Sequence, residues 1–78
     1  MKKGDLIGYV NMDGTQEWGI VTSNEPFMYK VTAGEPPYLA VVVSWPNDPN
    51  GVSETRECVS TVLSDDVELS GIWLQSSL

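Results

Sequence analysis

The chain has 78 residues, a formal net charge of −7 and an apolar fraction of 41%. That composition belongs to a folded domain rather than a disordered chain, and eleven acids against four bases weigh against a nucleic-acid binder, whose affinity rests on Lys and Arg. One cysteine, Cys58, and no histidine exclude an intrachain disulfide and deprive a zinc site of its usual ligands. No window carries the i, i+3, i+4, i+7 apolar spacing of a helix over three turns, and β-branched and turn residues dominate. Asp5 to Val10 reads as a first strand, followed by a turn at Asn11-Met12-Asp13-Gly14, where Asp-Gly suits positive φ. Glu17 to Thr22 reads as a second strand, with Gly19 marking a bend or a close backbone approach. Phe27 to Thr32 reads as a third, outer strand, and Gly34-Glu35-Pro36-Pro37 as a turn, because two prolines remove two donors and fix φ.

Tyr38 to Trp45 is the strongest strand pattern. Leu39, Val41, Val43 and Trp45 share one face and Tyr38, Ala40, Val42 and Ser44 the other, and both faces are largely apolar, which predicts a central position. "PNDPNG" over 46–51 is a loop, Thr55 to Ser60 a strand, Thr61 to Asp66 a short connection suited to one 3₁₀ turn, and Val67 to Leu74 the last strand. The expected core is Leu6, Ile20, Leu39, Val41, Val43, Val59, Val62 and Leu69. Five to six short antiparallel strands at close spacing predict a single all-β domain over 1–78, a small barrel with one 3₁₀ turn.

A chain this short buries only about 60–65% of its unfolded surface, so association with a partner or with itself is the expected source of added stability. Lys2-Lys3 is followed by Gly4-Asp5 rather than an apolar run, so no secretory leader is expected, and the Leu39–Val43 run is too short to span a bilayer. The unpaired cysteine fits synthesis in a reducing cytoplasm.

The segments "KKGDLIGYV", "WGIV", "VVVSW", "ECVS" and "DDVEL" together resemble a group of small SH3-like barrels found among proteins of tailed bacteriophages. The likeness covers roughly residues 3–45 and 55–70. It implies an SH3-like barrel and carries no catalytic or binding residue across, because the shared motifs are structural. The segment 23–37 is longer than the usual link between strands two and three, and the tail "GIWLQSSL" runs past the usual end.

Each chemical reading of a residue group meets a plainer one. A calcium loop using Asp48, Asn50 and Glu57 around Gly51 would begin at Pro46, which has no side-chain ligand, and lacks flanking helices. Asp65, Asp66 and Glu68 resemble an acid–base pair but fall in a turn with no nucleophile nearby. Cys58 lacks a histidine base and reads as a small buried strand residue. Trp18, Tyr29, Tyr38, Trp45 and Trp73 would form a stacking platform for single strands only with a basic groove, which the chain does not have.

The remaining candidates are protein contacts. Ile72, Trp73 and Leu74 are consecutive and alternate in an extended chain, so a barrel hides only one side of them. Phe27 and Tyr29 add a second candidate surface. The expectation is a non-catalytic protein–protein interaction module without cofactor, metal, nucleic acid or membrane, working as an oligomer or within a larger assembly. Its expected setting is a bacteriophage virion, as a capsid decoration, neck or tail component made in the host cytoplasm. The alternative is a small acidic regulator or inhibitor that binds a basic surface of a host protein.

Overall fold

In the computed structural model, which describes residues 1–46, 48, 53–64 and 70–75, six antiparallel strands and one turn of helix follow one another along the chain. They are β1 (Leu6–Val10), β2 (Gln16–Val21), β3 (Phe27–Tyr29), β4 (Tyr38–Ser44), β5 (Glu54–Cys58), α1 (Val59–Val62) and β6 (Ile72–Gln75). The order across the sheet is β3-β4-β2-β1-β6, with β5 pairing the other edge of β4. The sheet curls into a half-barrel, so the expected small all-β barrel is what the chain builds.

The hairpin turns follow from local chemistry. Between β1 and β2 the Asn11 N–H donates to the Thr15 carbonyl at 2.8 Å, and Gly14 adopts a φ of 88° that a side chain would resist. Asp13 Oδ1 accepts from both the backbone N–H and the hydroxyl of Thr15, at 2.9 and 2.6 Å. Those two bonds favour the ionised carboxylate and hold the Asp13 pKa below its ordinary value. At the start of the chain Gly4 has a φ of 95°, and the largely buried Asp5 takes the Lys2 N–H on Oδ2 at 2.9 Å. Gly4 N–H donates to the Val21 carbonyl and Val21 N–H to the Asp5 carbonyl. An acid between apolar positions is thus the lock of a turn that fixes the first residues against β2.

β4 is central, as its two apolar faces require. It pairs β2 through Ile20↔Ser44 and Val21↔Val43, β3 through Phe27↔Ala40 to Tyr29↔Tyr38, and β5 through Ala40↔Cys58 to Ser44↔Glu54. The core contains Ile7, Val21, Val41, Val43, Trp45, Val62 and Ile72, with Met1, Val59 and Leu74 packed against it.

Three expected core residues lie outside it. Leu6, Ile20 and Leu39 are 40%, 41% and 44% exposed. In β1 and β2 the inward face is one residue out of step with the expectation. Ile7 and Val21 point in, while Leu6 and its partner Ile20 point out. Glycine sets this register. A Cβ on Gly19 would lie 2.5 Å from Val43 Cγ1 and 2.8 Å from Trp45, so Gly19 must face the core where those side chains press on it. Gly8 faces outward, where a Cβ would intrude on the Trp73 indole. Leu39 shares the inward face of β4 but sits at its far end opposite exposed Met28.

The connection after β5 also differs. The strand ends at Cys58, and Val59–Val62 form one α-helical turn, with Leu63 N–H bonded to the Val59 carbonyl at 3.0 Å. An i→i+3 bond from Ser64 N–H to the Thr61 carbonyl then tightens its end. Cys58, the last residue of β5 and the residue before α1, is a strand residue as expected but half-buried rather than buried, and its contact with the Ser60 hydroxyl draws the thiol pKa down. The last strand, expected over 67–74, runs from Ile72 to Gln75, and its expected start, with Leu69, lies outside the described residues.

Candidate functional site

Alternation along the strands separates two surfaces. On the concave face β1 and β2 project Tyr9 opposite Glu17, β4 leads into Trp45, and β5 projects Thr55 opposite Val43 and Glu57 opposite Val41. At one end of that face Tyr9, Glu17, Trp45, Thr55 and Glu57, with Asn11 and Asp48, line an open pocket of about 340 Å³. Its aromatic wall is Tyr9 set edge-to-face on Trp45, with ring centroids 6.1 Å apart. Trp45 is 7% exposed and donates its indole N–H to Thr55 Oγ1 at 2.7 Å. Thr55 in turn donates to Glu57 Oε2 at 2.6 Å, so a continuous chain of bonds orients one carboxylate of the wall.

Glu17 lies on the opposite wall. Desolvation raises its pKa first, and a hydrogen bond with the Asp48 carboxyl raises it further, while Asn11 acts the other way. Three carboxyl groups therefore line one pocket with aromatic sides, and its lining contains no Lys or Arg. Among the described residues no group of three or more Cys, Asp or Glu is placed to hold a metal ion. The calcium-loop residues Asp48 and Glu57 meet here with Glu17, which the sequence pattern did not bring to them. Asn50 and Gly51 lie outside the described residues, as do Asp65, Asp66 and Glu68.

The convex face carries the second surface. Gly8 pairs with Trp18 on one side and Trp73 on the other, so the two indoles approach across a residue with no side chain. They meet edge-to-face, with centroids 5.8 Å apart and planes at 82°. Exposed Leu6 and Ile20 pair beside them, extending an apolar strip across β6, β1 and β2. Of the three tail residues singled out by sequence, Trp73 stands on this strip, Ile72 is buried in the core and Leu74 packs against it. The signal for the rest of the strip was present in the sequence, but reading Leu6 and Ile20 as inward hid it.

Phe27 and Tyr29 stand in a separate aromatic ladder. Phe27 and Tyr29 are 6.4 Å apart and Tyr29 and Tyr38 are 5.9 Å apart, centroid to centroid, each edge-to-face. Arg56 lies over the Tyr29 ring at 5.4 Å. The ladder's rings are half-buried against one another and so offer less free surface than the strip. Among the described residues no helix is long and apolar enough to cross a membrane. The chain matches no protein-family model, no curated protein and no solved structure.

Proposed function

We propose that this chain is a non-catalytic protein-interaction module that serves as a structural or accessory component of a tailed-bacteriophage particle, docking on a larger capsid, neck or tail subunit. The observation that carries the reading is the convex strip of Leu6, Trp18, Ile20 and Trp73. Large apolar side chains clustered on one exposed sheet face are the mark of a contact surface. Tryptophan anchors of this kind can dominate the affinity of such contacts. The sequence resemblance to small phage barrels supports the setting. The net charge of −7, with four bases against eleven acids, argues against a nucleic-acid role.

Quantitative mass spectrometry of purified particles tests the proposal. The chain should be found at a fixed ratio to the major subunits after density-gradient purification. Its absence from particles, with the chain abundant in infected cells, would favour the second reading, a small acidic regulator of a host protein. That reading draws on the carboxylate-lined cavity, which suits a basic partner.

A further inference from the structure

The concave face of a small barrel is ordinarily apolar. Here the inward register of β2 and β5 sends the half-buried Glu17 and Glu57 to one open end of that face, beside Tyr9 and Trp45. We propose that this cavity is a receptor for one arginine side chain presented by a partner protein. The inference rests on the reading of the chain as a protein-binding module but places the contact on the face opposite the apolar strip.

Shape and chemistry agree on that occupant. The cavity of about 340 Å³ is at the small end of ligand pockets, suited to one long side chain rather than a cofactor. Tyr9, 38% exposed, lends the pocket an aromatic surface beside the carboxylates, and a guanidinium stacks on such a ring more often than an ammonium does. Glu57 is held in place through Thr55, and Glu17 stands across the pocket against Asp48. A guanidinium presents several N–H donors in a rigid planar fork, suited to a pocket that offers more than one carboxylate, while its stem lies on apolar surface. An ammonium is a compact point charge and meets only part of this arrangement. The chain supplies no such group itself: the lining has no Lys or Arg, and Arg56 lies over Tyr29, outside the pocket. A cation entering the site would also relieve the crowding of Glu17 against Asp48.

The test is an NMR titration of the whole 78-residue chain, following the Trp45 indole N–H that donates to Thr55. The probes are three acetylated, amidated glycine peptides bearing a single arginine, lysine or citrulline. The arginine peptide should shift the Trp45 signal saturably, with a Kd on the order of 1 mM, as expected of one side chain without the rest of its partner. The citrulline peptide keeps the shape without the charge and should bind at least about tenfold more weakly. Glu17→Gln and Glu57→Gln should each weaken arginine binding about tenfold while the remaining amide spectrum stays dispersed. Trp18→Ser, on the convex face, should leave it unchanged.

No saturable shift of Trp45, or equal binding of the lysine or citrulline peptide, would overturn the arginine assignment. Shifts confined to Trp18 and Trp73 would overturn it too, and would place peptide binding on the convex strip. None of these results touches the particle measurement, so failure of the pocket and failure of the structural role are read separately.

Discussion

Gly19 and Gly8 sit on neighbouring strands and serve opposite faces. Gly19 leaves room for Val43 and Trp45 in the core, whereas Gly8 leaves room for an indole on the surface. A methyl group at Gly19 meets side chains that have nowhere to go, so Gly19→Ala should destabilise by about 1–3 kcal/mol in urea unfolding. Gly8→Ala meets a half-buried indole that can swing outward. Its stability loss should be the smaller of the two, and its main effect should be to part Trp18 from Trp73. At Glu17 the expected sign is set by the raised pKa. The folded state holds this proton more tightly than the unfolded chain, so stability falls as pH rises from about 4.3, the ordinary glutamate value, through the raised folded value. Glu17→Gln should therefore raise Tm at pH 7 and change it least near pH 4. A Tm gain that is equal at both pH values would contradict the desolvated, acid-crowded setting of this side chain.

Among the elements, β4 is the one on which the others depend, since β2, β3 and β5 all pair with it. Its amides from Ala40 to Ser44 should be among the slowest to exchange with solvent. Val43→Ala, at a fully buried site under Gly19, should cost about 2–4 kcal/mol through lost transfer energy and the cavity left behind. This strand was fully legible, because seven apolar or small residues between two proline-rich turns leave no competing reading. The faces of β1 and β2 were not. Leu6-Ile7 and Ile20-Val21 are adjacent apolar pairs, so alternation gives no preference, and the deciding contacts come from Trp45 and Trp73 far along the chain. The four-residue α1 is too short to show periodicity. The cavity acids were visible one by one, but Glu17 meets Asp48 and Glu57 only once the β1–β2 and β4–β5 pairings are known. Trp73 was legible as an exposed anchor, since three consecutive apolar residues cannot all turn inward.

At the scale of the whole molecule, the apolar strip and the acid-lined cavity lie on opposite sides of one curled sheet and share no lining residue. Changes on the two sides should therefore combine additively. Trp73→Ser should leave a folded domain whose assembly with its partner weakens at least about tenfold, with arginine-peptide affinity unaltered. Unfolding of that variant on circular dichroism would instead make the Trp18–Trp73 contact part of what holds β6 to β1. The placement of the three tryptophans has an optical consequence as well. Trp45 is enclosed and hydrogen-bonded on the concave side, whereas Trp18, 44% exposed, and Trp73 lie on the convex side. Iodide, an anionic quencher repelled by the carboxylates, should spare the Trp45 emission and dim that of Trp18 most. A partner that seats on the strip would shield that dimming, and one that enters the cavity would shift the protected, bluer component. The native chain thus carries intrinsic fluorophores on each face, and emission recorded with and without iodide can tell which face a partner has covered.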